Sequence, residues 1–354
     1  MNMRALTPPA VVVLTAAMWV GIAVTAAAQS DAIQVENAKP GSTDWLLTRV
    51  VRHDDEIYEL GWHRRRGIEA YTSHTSVTAG DTLNVHVSTY PALYWNGYPA
   101  GFHPLTNGSG EFLMTEFSLA YWLEKEGYDV TYIFNVDTHA NGKGLLRAKA
   151  FLSVGHDEYW TERMFDNVTK ARDAGVSLAF LSGNSISGVV ELLPSSDGRP
   201  NRVMRRAGRG FKGEQELMGA TSYGVGFADW TSDTPEHWAF EGTNMKKGDR
   251  VAQLVGWEYH GAPLATHPGL VVLSEGPVYA ANGEKRTGTY ATTLYTARKG
   301  NLVFNAGTCW WNVVLSTPPG FQNPPRKDFR RNDPRIQRIT KNILDRMIST
   351  KVTE

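Results

Sequence analysis

Between positions 150 and 181 the chain passes from an apolar strand through a helix into a second apolar strand. That order restricts the fold more than any other feature. Residues 150–154 (AFLSV) and 176–181 (VSLAFL) are short apolar runs of the kind buried on both faces of a sheet. The segment from about Trp160 to Ala174 reads as the helix joining them. A strand, a crossover helix and a second strand imply a parallel pair with a right-handed connection. Around this unit, residues 111–126 place Leu113, Phe117, Ala120, Tyr121 and Leu123 on one helical face that Gly127 can close. Residues 128–134 (YDVTYIF) read as a further strand, and a helix is expected near Gly144. Strands are also expected at 270–274, 289–296 and 301–305, with a terminal helix at 333–349. The Gly-rich, polar stretch 192–248 reads as an excursion over the sheet. The expected fold class is therefore α/β, a mostly parallel Rossmann-like sheet flanked by helices, occupying residues 90–354.

The N-terminal part differs. Met1 to Arg4 is a short basic start, and residues 10–28 form an apolar run ending in small residues, Ala26 and Ala28, before Gln29 and Ser30. This is the pattern of a cleaved secretory signal peptide over residues 1–28, which implies an exported protein with no stable membrane association after cleavage. The run is also about long enough to span a bilayer, so an uncleaved anchor is the alternative. Residues 29–89 carry few strands, the best being 82–89 (TLNVHVST), where Leu83, Val85 and Val87 alternate with polar neighbours after the turn at 79–81. Two or three strands do not make a stable sheet alone, so this segment reads as a short, truncated β domain attached to the rest.

With 36 Lys+Arg against 36 Asp+Glu, the formal net charge is +0, which argues against a nucleic-acid partner. A single cysteine, Cys309, excludes an internal disulfide and any multi-cysteine metal site. Ligands of open α/β sheets bind beyond the carboxyl ends of the strands. Two such ends are polar here: Gly155-His156-Asp157-Glu158-Tyr159-Trp160 after the first apolar strand, and Ser182-Gly183-Asn184-Ser185 after the second. If the strands are neighbours, an imidazole, carboxylates and a carboxamide share one lip, a set able to activate water and hold a polar substrate. The local alternative for 156–158 is a helix N-terminus, where acidic residues favour the dipole; that is the better reading of Asp157, and His156 and Glu158 stand open between the two. For Asn184 the alternative is a left-handed turn residue.

These motifs, GHDEYW, ARDAGVSLAFLSGN, HWAFEGTN, VGWE, LVFNAGT and DPRIQRITKNILDR, resemble the large (β) subunit of N,N-dimethylformamidase and its bacterial relatives over about residues 89–346. The resemblance implies a catalytic domain like the class I glutamine amidotransferases, preceded by a β domain. It also implies hydrolysis of a small amide at a mononuclear iron held by two tyrosinates and a glutamate. By the same resemblance Glu158 looks like the glutamate ligand, His156 like the pocket histidine, Asn184 like the pocket asparagine, and Glu258 of VGWE like a further pocket carboxylate. Tyr94, in the segment 88–96 (STYPALYWN), looks like one tyrosine ligand. The chain departs from the family where Val87-Ser88-Thr89 runs straight into Tyr90, without the longer β domain of its relatives; the second tyrosine ligand is expected in that missing part. Tyr90, Tyr98 and Tyr159 are the candidates to replace it. Two functions follow. One is an exported hydrolase of small amide C–N bonds using a metal-activated water; the other is a non-catalytic or degraded member that keeps the fold as a small-ligand-binding protein. The reading leaves room for oligomerisation and for a small partner subunit.

Three other features carry less. Cys309 in NAGTCWW has no evident base beside it and reads as an inert, half-buried residue beside Trp310 and Trp311. Arg199, Arg202, Arg205, Arg206, Arg209 and Lys212 form a basic run that reads first as a solvated face and second as an anion-binding lid. The scattered tryptophans read as core rather than as sugar-stacking platforms.

Overall fold

Strands form where the sequence is most apolar. The computed structural model describes residues 115–263, 267, 269–280, 283–318 and 332–350, with the backbone alone for residues 222–223 and for four short strands ahead of residue 115. Those four pair antiparallel: β1 (Arg64–Arg65) with β4 (Ala92–Leu93), and β2 (Glu69–Thr72) with β3 (Val85–Ser88). β3 lies inside the alternating run 82–89. The expected signal peptide, 1–28, falls outside the described residues, as does Tyr94. Among the described residues no helix is long and apolar enough to cross a membrane.

By contact the chain divides into two units, Met1–Leu46 with Trp122–Tyr132, and Leu47–Tyr121 with Ile133–Glu354. Helix α1 (Phe117–Lys125) runs from the second into the first. In the first unit the Trp122 and Tyr128 rings lie 5.9 Å apart, and the Tyr132 hydroxyl donates to Glu124 at 2.9 Å. The strand expected at 128–134 is not formed. The end of that stretch is committed to helix α2 (Asn135–Ala140), where the Phe134 amide donates to the Asp137 carboxylate at 3.0 Å. Tyr132, Ile133 and Phe134 stay exposed.

In the second unit, β5 (Ala150–Gly155) leads through the two-residue strand β6 (Tyr159–Trp160) and helix α3 (Glu162–Asp173) to β7 (Ser177–Ser182). β5 and β7 pair in parallel from Ala150 opposite Ser177 to Gly155 opposite Ser182. Met164, Val168 and Ala171 recur on one face of α3 and are buried with Leu178, Phe180 and Val303. The stretch expected to be an excursion is instead built of antiparallel pairs. β8 (Gly188–Leu193) and β9 (Val203–Arg209) form a hairpin whose first strand runs parallel to β6. Helix α4 (Glu214–Met218) precedes β10 (Thr221–Val225) and β11 (Ala228–Thr231), which pair with β13 (Glu258–Gly261) and β12 (Arg250–Val255) respectively.

The main sheet is completed by β14 (Val271–Tyr279), β15 (Arg286–Thr296) and β16 (Leu302–Asn305), in the order β14-β15-β16-β7-β5. Only β16–β7 and β7–β5 are parallel. The expectation of a mostly parallel sheet is thus corrected to a mixed one. The connections β14–β15 and β15–β16 are a few residues long, too short for a crossover helix, and such connections force antiparallel pairing. The α/β class itself holds.

Helix α5 (Pro334–Ser349) closes the unit. Asp333 is its N-cap, accepting from the Arg335 amide at 2.9 Å and the Ile336 amide at 3.4 Å, with Pro334 at the first helical position. Ile336, Ile339, Thr340, Ile343, Leu344 and Met347 form its buried face, and Trp311 Nε1 donates to Thr340 Oγ1 at 3.0 Å. The Asp333 carboxyl is lowered below the usual carboxylate range, because bonds donated by Arg335 and its paired charge outweigh burial. Asp333→Ala should therefore cost about 1–2 kcal/mol of unfolding free energy at neutral pH. The loss should vanish in acid: the depressed pKa stabilises the fold above the ordinary Asp value and stops doing so as pH falls through the folded one. Urea titrations of both proteins at pH 7 and at a series of lower pH values, down through the carboxylate range, measure this.

Candidate functional site

Because Gly155 stands opposite Ser182, the chains leaving β5 and β7 emerge side by side. They are stitched together by the Ile186 amide on the Asp157 carbonyl at 3.0 Å and the Gly188 amide on the Glu158 carbonyl at 2.9 Å. The GHDEYW segment is not a helix N-terminus. Helix α3 begins two residues after it, at Glu162, with Thr161 Oγ1 accepting from the Met164 amide at 3.1 Å. Asp157 therefore does not cap a helix, contrary to the expectation. Its carboxylate accepts from Asn135 Nδ2 at 2.8 Å and Ser153 Oγ at 2.9 Å, which pins the loop from beneath. Burial pushes this carboxyl up, and the two donated bonds oppose that shift.

With Asp157 held below, His156 and Glu158 meet Glu258. His156 Nε2 contacts Glu258 Oε2 directly and stands 3.5 Å from Glu158 Oε2. The three side chains are only 10%, 14% and 16% exposed, so little water screens them. The Trp257 ring meets the imidazole edge-on at 4.6 Å, fixing its plane. Tyr159 lies beside Glu158; burial first and that carboxylate second push its phenol up, while Arg206, 5.8 Å from the ring centre, acts the other way.

Three expected site residues, His156, Glu158 and Glu258, are thus brought together. Asn184 sits in the neighbouring turn at φ 54, in the left-handed region foreseen for it, and its carboxamide makes no hydrogen bond to the other three. Its turn is nevertheless pressed on the Glu258 strand. A side chain at Gly183 would collide with the Glu258 carbonyl oxygen and the Cys309 amide. Tyr94 cannot be placed, since it lies outside the described residues. Cys309 is buried, its thiol 3.5 Å from the Gly183 carbonyl, so it is packing behind the turn. The basic run divides: Arg199 pairs with Asp197 at 3.0 Å and Arg205 with Glu191 across the exposed β8–β9 hairpin.

Sequence reasoning passed over His260 and Asn305, and named Ser185 only as part of the polar turn. His260 is fully buried, with Nε2 2.9 Å from the Ser185 amide and Nδ1 2.7 Å from Asn305 Oδ1. The available signal was its place two residues after Glu258 on a strand, which puts both on one side.

The molecule is an α/β protein with a histidine–carboxylate cluster at the carboxyl ends of parallel strands. The family description N,N-dimethylformamidase beta subunit-like, C-terminal, matches residues 62–325, and the chain belongs to that family. The match starts upstream of residue 89 and ends before 346, the limits of the motif resemblance. No curated protein matches the chain.

Burial lowers the His260 pKa from 6.5 to about 4, chiefly because the charged ring has no solvent. Below pH 6.5 the unfolded chain takes up a proton that the folded one refuses. Stability should therefore fall between about pH 6.5 and 4, by up to about 1.4 kcal/mol per pH unit from this group alone, and level off below. Denaturant unfolding across that range should show a shallower decline in His260→Gln.

Proposed function

We propose that this protein is an exported hydrolase of small amide C–N bonds, of the formamide type, acting at His156, Glu158, Glu258 and Asn184. The observation that carries the reading is the His156 imidazole lodged against Glu258 with Glu158 at its side. Family membership supports a dimethylformamidase-like hydrolase, and the geometry suggests how its residues divide the work.

A proton held at the Nε2···Oε2 contact of His156 and Glu258 is mobile between two groups of a poorly solvated site. This pair accepts a proton from water as the water oxygen attacks the amide carbonyl carbon. It returns that proton to the amide nitrogen as the C–N bond breaks, leaving a carboxylic acid and an amine. Asn184, in the adjoining turn, orients the carbonyl oxygen. Trp257 keeps the imidazole plane fixed through both transfers.

The family's iron is part of this proposal. Glu158 is a hard oxygen donor with a phenol, Tyr159, beside it, a donor chemistry that suits a ferric ion. Among the described residues no group of three or more His, Cys, Asp or Glu is arranged to hold a metal, so the site as proposed draws on Tyr94 as well as Glu158. When bound, such an ion supplies Lewis acidity toward water or the carbonyl oxygen. Export rests on the N-terminal leader pattern, and the glutamine amidotransferase-like ancestry of the sheet on the motifs. The beta subunit-like family name is consistent with a multi-subunit assembly in which this chain has a partner.

Two measurements test the reading. Purified protein should release amine from N,N-dimethylformamide, and Glu258→Gln or His156→Ala should lower kcat by about a hundredfold or more. Protein made in iron-replete medium should carry iron and show a phenolate-to-iron absorption band that Tyr94→Phe weakens. A colourless, iron-free and inactive protein would favour the non-catalytic member of the family instead.

A further inference from the structure

His260, on β13, is a titratable group that the proposed chemistry does not use, yet strand β16 and the turn that follows β7 meet on its ring. We infer that His260 is a positioning residue, a neutral imidazole that clamps the Asn184 turn to the strand bearing Glu258. The consequence for catalysis rests on the amidase reading; the clamp does not.

The direction of each bond follows from donors that cannot reverse. The Ser185 amide can only donate, so Nε2, 2.9 Å away, is the acceptor and carries no proton. The ring proton is then on Nδ1, which donates to Asn305 Oδ1 at 2.7 Å. Asn305 Oδ1 is itself identified as the oxygen because it also accepts from the Gly307 amide at 3.0 Å. One tautomer satisfies both sides, and a protonated ring would turn a donor toward the Ser185 amide. Burial favours the same neutral form. Glu258 and His156 act on the ring's charge in opposite senses, Glu258 favouring it and His156 opposing it.

What the clamp joins gives it a role. Ser185 directly follows Asn184, and its hydroxyl donates to Ser182 Oγ at 2.6 Å, so the whole turn moves with it. His260 shares strand β13 with Glu258, whose carbonyl accepts from the Cys309 amide at 3.3 Å and abuts Gly183. Asn305 ends β16, the parallel neighbour of β7. One imidazole therefore sets how far the Asn184 turn stands from the Glu258 carboxylate.

The test uses the full-length protein labelled with 15N-histidine. Long-range proton–nitrogen spectra should show one histidine held as the neutral Nδ1–H tautomer, unchanged from pH 5 to 8, and its loss in His260→Gln identifies it. An Nε2–H tautomer, or titration in that window, overturns the clamp whatever the activity. In N,N-dimethylformamide hydrolysis, His260→Leu should lower kcat at least about tenfold with KM changed less than about threefold. His260→Gln, whose carbonyl can accept from Ser185, should recover most of it. A His260→Leu enzyme with full kcat overturns the positioning role. Where that variant does not fold, Asn305→Ser releases the ring from its other side and is read in the same way. A wild type inactive on this amide defeats the amidase reading, while the tautomer still decides the clamp.

Discussion

The parallel pairing of β5 with β7 fixes where His156, Glu158 and the Asn184 turn stand. Its last rung sets Gly155 opposite Ser182, and from there the two chains leave the sheet together toward the same edge. The amides of Ile186 and Gly188 then bind the carbonyls of Asp157 and Glu158, so the pairing continues past the sheet as a laced double turn. This is the position where open α/β sheets commonly bind ligands, because strand ends leave backbone and side chains unengaged. The antiparallel half of the sheet contributes differently. It brings β13 alongside, and with it a third carboxylate carrier from a distant part of the sequence.

Two kinds of charge handling lie within a few residues of each other. His260 is fully buried with both ring nitrogens engaged, and half-buried Asp157 accepts from Asn135 and Ser153. His156 and Glu258 face one another at the edge, partly exposed, with Nε2 of one against Oε2 of the other. In the amidase reading proposed above, these two anchors serve the edge pair, since a proton-transfer site needs its partners held in place before substrate arrives. Asp157 anchors the loop of His156 from below, and the Ser185–His260 bond anchors the opposite wall.

Much of this was legible in the sequence, for identifiable reasons. The βαβ unit announced itself through two apolar runs and an amphipathic helix, and the polar residues at the ends of those runs marked the site. The terminal helix was legible to within one residue: expected at 333–349, it spans 334–349, with Asp333 as its cap. Strand direction was not, since apolar runs read alike in parallel and antiparallel sheets; only the short links after β14 and β15 decide it. The segment 128–134 has the alternation of a strand, yet alternation says nothing of whether a neighbouring edge is available. Asp157 looked like a helix-capping residue because acidic residues near a helix start commonly are. Its true partners, Asn135 and Ser153, are brought to it by the fold.

His260 shows why a site's supporting residues are harder to read than its reactive ones. A reactive cluster advertises itself by an unusual local composition, as His156 and Glu158 do within four residues of a strand end. A clamp needs only one acceptor and one donor at the right places, and its partners here lie 75 and 45 positions away along the chain. Nothing about an isolated histidine in EYHG separates those geometries from an ordinary core residue. The distinction appears only when both ring nitrogens have been assigned, because an amide donor on one side and a fixed carbonyl oxygen on the other leave a single protonation state. A ring so constrained cannot serve as an acid or a base near neutral pH. In the amidase reading its usefulness lies in that inertness, which keeps the distance between the Asn184 turn and Glu258 constant while the neighbouring groups exchange protons.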